Sequence, residues 1–360
     1  MMKVGINSGG ITLILISLAA VSVGAGSTLS AADPSAVPLT PAEAAQGWIS
    51  LFDGESPFGW AIIHGKVKVV SGVLELGGMK RTTAVTTSRF PAVDHRVDLE
   101  VIGAEATLHL AGDAGPPRRL APGTVLREEI AARKSPGSAP QPLRIEVAEG
   151  GSVRVRKLAV RPSSATELFN GKNLDGWQID RSDPKRAKAS FTVTPKGELH
   201  VLGGPGDIRT EAQYADFLLQ AEIQTAGPMV NSGLFFRCVP GQIQNGYECQ
   251  IQNGYKNGNR AEPLDYGTGA IYRRAAARKV VANDKEWFTV TVLADGPHLA
   301  TWVNGYPVVD WTDDRPRDEN PRKGLRTDAG HLSIQGHNPP MSADVLFRSL
   351  RISPFSSKAK

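Results

Sequence analysis

The sequence predicts an all-β protein, in which a complete antiparallel β-sandwich of the jelly-roll kind follows a smaller, degenerate β-sandwich. Three observations support this prediction: apolar and polar residues alternate along much of the chain, glycine (38) and proline (25) are abundant, and two segments begin and end alike. Alternation with a period of two is typical of half-buried strands. Abundant Gly and Pro favour short strands joined by tight turns over long helices.

The N-terminus has the layout of a secretory signal peptide. Lys3 precedes an apolar run at residues 11–23, and small residues follow it. A run of this length is short for a membrane span, so an uncleaved anchor is the less favoured alternative. We therefore expect residues 1–32 to be removed and the mature protein to be periplasmic or secreted, with no stable membrane insertion.

The internal repeat defines the domain organisation. Phe52 and Trp60 are separated by eight positions, as are Phe169 and Trp177, and each copy closes on a basic strand ending in Pro162 or Pro354. Self-similarity of this order indicates two copies of one β-domain. The predicted organisation is a signal peptide (1–32), a linker (33–46), a reduced sandwich (47–162), a linker (163–166), a complete jelly roll (167–355) and a tail (356–360).

Within the second copy, alternation predicts ten strands. They are residues 190–194, 198–202, 217–225, 232–239, 247–252, 268–272, 287–294, 298–303, 331–335 and 345–352. Asn304 and Gly305 form a strong signal for a hairpin turn.

The same alternation sorts the side chains of two strands onto faces. It places Arg237 on one wall with Glu248 and Gln250, and it puts Cys238 and Cys249 on the apolar side. In an oxidising compartment these two cysteines are candidates for a disulfide, and buried thiols are an equal alternative.

Composition argues against several partners and cofactors. The net charge of +5 comes from scattered Lys and Arg residues, so we expect no nucleic-acid partner. No His or Cys residues fall at the spacing of a metal site. We expect no cofactor; calcium is left open because Asp265 and the Asp313-Asp314 pair supply oxygen ligands, although nothing in their spacing demands it.

A series of blocks in the second copy resembles the 3-keto-disaccharide hydrolase family. The blocks are Leu168-Phe169-Asn170-Gly171 with Gly176-Trp177, Asn231 to Arg237, Gly246 to Ile251, Thr268 to Tyr272, the hairpin at Trp302 to Gly305, and Gln335-Gly336-His337 followed by Phe347 to Ile352. They occur in order over residues of about 165–355. The resemblance implies a concanavalin-A-like lectin/glucanase jelly roll.

The resemblance also implies a chemistry. Members of the family are associated with cleaving glycosides oxidised at C3, where the ketone acidifies the C2 proton and the glycosidic oxygen leaves by elimination before water adds back. This scheme needs an acid or base of tuned pKa and a group that stabilises the enolate.

Residues in the matching blocks can be given roles in that scheme. Glu248 is the candidate acid/base, Arg237 the candidate partner for the keto or enolate oxygen, and His337 the candidate proton shuttle. Glu248 paired structurally with Arg237 is an equal alternative, and such a pair would lower the pKa of the glutamate. His337 as an ordinary surface histidine also stays open. Gln250, Tyr272 and Asp265 are candidates for binding sugar hydroxyls.

Two classes of function follow. The first is an exported enzyme that cleaves 3-keto-disaccharides, with an oligo- or disaccharide substrate and a functional link to an enzyme that oxidises sugars at C3. The alternative is a non-catalytic carbohydrate-binding or envelope adhesion module, because the same sandwich supports either.

Overall fold

A computed structural model describes most of the chain. The described residues are 38–133, 139–228, 230–242, 244–337 and 343–355. The predicted signal peptide and the tail at 356–360 lie outside them. Within the described ranges, no helix is long and apolar enough to cross a membrane.

The described part of the N-terminal half contains a short helix and eleven strands. These are α1 (Pro41–Ala45), β1 (Ile49–Ser50), β2 (Trp60–His64), β3 (Val67–Val70), β4 (Val73–Gly77), β5 (Thr82–Thr86), β6 (Val93–Ile102), β7 (Ala106–His109), β8 (Arg118–Leu120), β9 (Val125–Ile130), β10 (Arg144–Val147) and β11 (Ser152–Pro162).

The C-terminal half contains fifteen strands among its described residues. These are β12 (Thr166–Glu167), β13 (Trp177–Ile179), β14 (Ser190–Val193), β15 (Leu199–Gly203), β16 (Gly206–Tyr214), β17 (Phe217–Thr225), β18 (Ser232–Cys238), β19 (Tyr247–Ile251), β20 (Tyr255–Lys256), β21 (Asn259–Pro263), β22 (Phe288–Asp295), β23 (His298–Val303), β24 (Tyr306–Thr312), β25 (Gly330–Gly336) and β26 (Ala343–Pro354).

Each half is built from two antiparallel sheets. The N-terminal half has a six-stranded sheet in the order β3-β4-β11-β6-β9, with β1 beside β11, and a five-stranded sheet in the order β2-β5-β10-β7-β8. The C-terminal half has an eight-stranded sheet in the order β14-β15-β26-β17-β22-β23-β24, with β12 beside β26, and a five-stranded sheet in the order β13-β16-β25-β18-β19. The protein is therefore all-β, as predicted.

Alternating apolar side chains close each pair of sheets over a core. In β6 the buried positions are every second residue, and they face the first core. The second core is larger and contains Phe217, Phe236, Tyr247 and Phe347 together with many aliphatic residues. Because a strand places every second side chain on one face, this burial leaves the opposite face of each five-stranded sheet for polar groups.

The predicted linker at 33–46 contains an ordered helical turn. Thr40 caps α1 in a capping box with Glu43, whose side chain accepts a hydrogen bond from the Thr40 backbone N–H at 2.8 Å. Such a box satisfies two N–H groups at the start of a helix. Leu39 and Trp48 are both buried on either side of it.

The N-terminal half packs against the eight-stranded sheet of the C-terminal half. Leu218 and Trp302 belong to the apolar cluster of the N-terminal half, and the ring centroid of Trp302 lies 6.3 Å from that of Phe90. Arg278 forms an ion pair of 2.5 Å with Asp53, whose side chain is fully buried. The two halves thus share one interface, and the polar face of the second five-stranded sheet lies away from it.

Every strand predicted for the second copy is found except the one at residues 268–272. That segment instead makes irregular backbone hydrogen bonds to β19, and Gly269 within it has a φ of +90°. A positive φ takes the chain out of the extended conformation, so the alternation cannot continue as a strand. The Asn304-Gly305 turn is confirmed, with φ values of 49° and 72° that suit a hairpin turn.

Candidate functional site

The candidate site lies on the open face of the five-stranded sheet in the C-terminal half. Direct cross-strand partners share a face. Glu248 is opposite Phe235, Phe235 is opposite Ser333, and Ser333 is opposite Arg209, so these side chains form one row. The neighbouring row contains Gln250 opposite Gly233.

Glu248 occupies a tight space at the centre of this face. It is 8% exposed, and no described residue forms a hydrogen bond with its side chain. A Cβ atom added to Gly233 would lie 2.7 Å from Glu248 Oε1 and 3.1 Å from the ring of Phe235, so only glycine leaves room for the carboxyl group. Burial raises the pKa of Glu248 to about 8, Arg322 opposes that shift, and Asp265 adds to it. The group is therefore mostly protonated at neutral pH.

Asp265 is held beside Glu248 by two amide side chains. Its Oδ2 accepts hydrogen bonds from Gln250 Nε2 at 2.9 Å and from Asn231 Nδ2 at 2.7 Å. Gln250 Nε2 also donates to the Asp265 backbone carbonyl at 3.1 Å, which orients the amide. Gln250 Oε1 is then a buried acceptor without a hydrogen bond among the described residues.

Tyr272 and three arginines complete a cleft around Glu248. The cleft has a volume of about 90 Å³ and is lined by Gly246, Tyr247, Glu248, Tyr272, Arg273, Arg274, Pro321 and Arg322. Arg273 and Arg322 are exposed: the guanidinium group of Arg273 lies over the ring of Tyr272, and Arg322 Nε donates to the carbonyl oxygen of Gln244 at 2.8 Å. A protonated acid, a nearby carboxylate and exposed guanidinium groups therefore meet at one place.

The backbone around the cleft is strained. Asp265, Tyr266 and Arg273 have φ values of 44°, 70° and 58°, and none of them is glycine. Tyr266 packs edge-on against Tyr272 with a centroid separation of 5.2 Å. Residues with positive φ cost stability and persist where the surroundings fix them, and they cluster at functional sites.

The prediction that Arg237 faces Glu248 is wrong. Arg237 has a φ of 51°, and the register of β18 with β25 is irregular between Phe235 and Cys238. The side chain therefore turns away from the polar face and is fully buried. It donates hydrogen bonds to the carbonyl groups of Ala215, Gly296 and Arg326 and to Asp216 Oδ1. Arg237 is a structural cation, and the lowered glutamate pKa expected from an Arg237–Glu248 pair is wrong as well.

His337 lies far from Glu248. It follows the end of β25, four residues beyond Ser333, and Glu248 is two strands across from Ser333. Strand rise and strand spacing together separate the two Cα atoms by roughly 16 Å. Direct proton transfer needs hydrogen-bond reach, so we leave His337 out of the site.

The two cysteines are free and buried, so of the two alternatives left open by the sequence the structure has the buried thiols and not the disulfide. Cys249 is opposite Leu234, and Cys238 lies four residues further along the same strand. That offset is roughly 13 Å along a strand, whereas a disulfide needs Cα atoms within about 7 Å. Burial raises the pKa of both thiols, which keeps them unreactive.

A second polar group lies at the other side of the same sheet face and has no counterpart in our sequence predictions. Asp207 accepts hydrogen bonds from Gln244 at 3.0 Å and from Arg186 at 3.3 Å, and burial raises its pKa. His331 Nδ1 donates to the carbonyl oxygen of Thr210 at 2.7 Å. Sequence reasoning missed this group because β16, which carries Asp207, was not among the predicted strands.

The described residues contain no group of three His, Cys, Asp or Glu side chains that could hold a metal ion. Asp313, one of the residues considered for calcium, accepts from Arg315 at 2.7 Å and from Tyr247 at 2.6 Å through Oδ2. Its oxygen atoms are thus used within the protein.

The antiparallel sandwich and its polar sheet face define a jelly-roll domain of the glycosyl hydrolase-like or carbohydrate-binding class. Residues 164–353, more than half of the chain, match the 3-keto-alpha-glucoside-1,2-lyase-like domain. The chain belongs to this family, as the sequence blocks predicted.

Solved structures with similar folds were also found. Two are provisionally assigned glycosyl hydrolases from Parabacteroides distasonis. The first is 22% identical, its match covers 53% of this chain and 94% of the hydrolase chain, and the TM-score is 0.42. The second is 23% identical, its match covers 53% of this chain and 100% of the hydrolase chain, and the TM-score is 0.40. A third is the carbohydrate-binding module CBM66 from Bacillus subtilis, which is 14% identical; the match covers 50% of this chain and 98% of the module, with a TM-score of 0.34. No curated protein sequence matches the chain.

Proposed function

We propose that the C-terminal half cleaves 3-keto-glycosides by elimination followed by hydration, and that Glu248 is the general acid. The observation that carries the proposal is the buried, protonated Glu248 in a cleft that also presents the exposed Arg273 and Arg322, with the Asp265 carboxylate close enough to raise its pKa. A carboxyl group kept protonated at neutral pH can give its proton to a leaving oxygen.

In this proposal each step has its own group. The Asp265 carboxylate removes the C2 proton, and the electrons of the C2–H bond pass to the C3 carbonyl group, which becomes an enolate. As the ketone re-forms, the C1–C2 double bond forms and the C1–O bond breaks. Glu248 protonates the departing glycosidic oxygen. The guanidinium groups of Arg273 and Arg322 stabilise the negative charge on the C3 oxygen. Water then adds across the double bond: Glu248 takes a proton from the water as its hydroxyl group bonds to C1, and Asp265 returns its proton to C2, which restores both groups.

Gln250 has a positioning role in the same scheme. Its amide donates to Asp265 Oδ2 at 2.9 Å and leaves Oε1 as an acceptor over the same sheet face. This arrangement holds the loop residue Asp265 against Gln250, which is two residues from Glu248 on the same strand. Tyr272 lies beside Asp265 and Arg273, where its hydroxyl group can contact the sugar.

The proposal includes export to the periplasm or the exterior and dependence on an enzyme that supplies sugars oxidised at C3. The motivation for export is the apolar segment at residues 11–23, and for the oxidising partner it is the chemistry of elimination. An N-terminal sequencing experiment on the secreted fraction tests export: a first residue near position 33 supports it, and a full-length N-terminus contradicts it.

Cleavage is tested with a 3-keto-disaccharide and its unoxidised parent. We expect wild type to release products from the 3-keto compound only, Glu248→Gln to lose at least a hundredfold in kcat/KM, and Glu211→Gln to match wild type. Glu211 is an exposed glutamate on the same sheet and is thus a matched control. Binding of the 3-keto-disaccharide without release of any monosaccharide would favour the non-catalytic alternative.

The pH profile separates an acid from a base. If Glu248 acts as the acid, kcat/KM falls as the pH rises through about 8, where the group loses its proton. If kcat/KM rises through that pH instead, Glu248 is a base and the assignment is reversed.

A further inference from the structure

The five-stranded sheets of the two halves correspond strand by strand. Their orders are β2-β5-β10-β7-β8 and β13-β16-β25-β18-β19, and each begins with the tryptophan of the repeated motif. Strands β23 and β24 extend only the larger sheet of the C-terminal half. The correspondence allows positions in one sheet to be located in the other.

Buried hydrogen bonds repeat in the two halves. Trp60 Nε1 donates to the carbonyl of Leu51 at 2.6 Å, and Trp177 Nε1 donates to that of Leu168 at 2.7 Å.

A threonine next to each tryptophan strand repeats as well. Thr86 Oγ1 accepts from the backbone N–H of Leu143 at 3.0 Å, as Thr210 Oγ1 does from that of Leu332. These two matching pairs of hydrogen bonds fix which residues of the N-terminal sheet correspond to which residues of the C-terminal sheet.

That register locates the counterpart of Glu248. In the C-terminal half, the row of cross-strand partners next to the one that contains the tryptophan runs from Arg209 through Ser333 and Phe235 to Glu248. In the N-terminal half, the corresponding row runs through the residues Val85, Arg144 and His109, and the next position is Pro117. The site of the proposed acid is thus occupied by a residue that cannot donate a proton.

A cavity lies at this corresponding place. It has a volume of about 440 Å³, and its lining includes His109, Asp113, Pro117, Gln141 and Arg144. This volume is in the range of small-molecule sites, which are about 300–1,000 Å³. We propose that the N-terminal half binds a saccharide in this cavity without cleaving it.

The lining suits a neutral sugar. His109, Asp113, Gln141 and Arg144 provide both hydrogen-bond donors and acceptors, and Pro117 and Leu110 provide apolar surface. Arg144 donates through one terminal nitrogen to Glu146 Oε1 at 3.0 Å, so its remaining N–H groups can donate to sugar hydroxyl groups. Sugar hydroxyls need such mixed donors and acceptors at a concave surface.

The inference goes beyond the proposed cleavage and does not depend on it. Binding is measured by calorimetry with maltose, cellobiose, trehalose and sucrose. The protein is the mature two-domain chain with Glu248→Gln, so that no sugar is consumed. Ala114→Trp fills the cavity from an exposed lining position, and Gln141→Ala removes one polar contact while keeping the backbone bonds of that residue.

We expect at least one of the four sugars to bind, and we expect Ala114→Trp to weaken that binding at least tenfold and Gln141→Ala about threefold or more. With a 3-keto substrate, Ala114→Trp in the otherwise wild-type chain should leave kcat unchanged. The inference is overturned if none of the sugars binds, or if both variants bind as tightly as their parent. Failure of cleavage with retained, cavity-dependent binding would overturn only the proposed function.

Discussion

Substitution of Glu248 by Gln should change how the stability of the protein depends on pH. Glutamine keeps the size of the side chain and removes its ionisation. The pKa of Glu248 is about 8 in the folded state, against an ordinary value of 4.5. The folded state therefore holds the proton more tightly than the unfolded chain does. The protonated carboxyl group contributes fully to the free energy of unfolding below pH 4.5, and this contribution is lost as the pH rises through about 8.

The size of the effect follows from the two pKa values. Each pKa unit corresponds to about 1.4 kcal/mol, so between pH 6 and pH 9 the wild type should lose about 2 to 3 kcal/mol of unfolding free energy relative to Glu248→Gln. The free energy of unfolding is measured by urea denaturation with tryptophan fluorescence at several pH values. Glu211→Gln, at an exposed position, should follow the wild-type curve.

Two results would refute this reasoning. A difference between wild type and Glu248→Gln that stays constant from pH 6 to pH 9 would mean that burial does not raise the pKa of Glu248. A difference of opposite sign, with wild type gaining stability as the pH rises, would mean that a cation controls the carboxyl group, and the assignment of Glu248 as an acid would fall with it.

Three other perturbations have defined outcomes. Burial lowers the pKa of His95 to about 4 from 6.5, so the free energy of unfolding of the wild type should fall by about 3 kcal/mol relative to that of His95→Leu between pH 7 and pH 4. The same dependence on pH for both proteins in acid unfolding would contradict this. Gly233→Ala places a methyl group against Glu248 Oε1 and should lower kcat/KM at least tenfold with an unchanged circular dichroism spectrum; wild-type kinetics would disprove the packing argument. Arg237→Met removes the guanidinium donor from three carbonyl groups and from Asp216, which keeps only the N–H of Gly296, and should destabilise the protein by about 3 to 5 kcal/mol. The folded fraction should keep its kcat, and a selective loss of kcat would show that Arg237 belongs to the site.

The strands were largely predictable because a strand that is buried on one face has apolar residues at every second position of its sequence. The prediction for residues 217–225 coincides with β17, and the hairpin turn at Asn304-Gly305 has the two positive φ values that its residue types favour. The segment at 268–272 was not predictable in this way. Its alternation resembles a strand, but the positive φ of Gly269 bends the chain out of one.

Site residues were predicted less well, for an identifiable reason. Glu248, Gln250, Asp265 and Tyr272 were named from the sequence as candidates and lie near one another in the structure; the first two share a strand, where alternation is reliable. Arg237 also lies on a strand, but its positive φ moves its side chain to the other face.

The arginines of the cleft are separated from Glu248 by loops whose course the sequence does not reveal. Arg322 lies far along the chain from Glu248, yet both line the same cleft. No spacing rule links two residues brought together by separate loops, so such a contact becomes visible only in three dimensions.

The two halves show how few positions separate a reactive sheet face from an unreactive one. Both have the same strand order, the same tryptophan hydrogen bond and a cavity at the same end of the sheet. In one half the critical position is Glu248, seated over Gly233, and in the other it is Pro117. A glutamate introduced at Pro117 would still lack the glycine beneath it, because the register places Thr107 there. The reactive carboxyl group therefore requires a pair of cross-strand residues, and fold alone does not provide it.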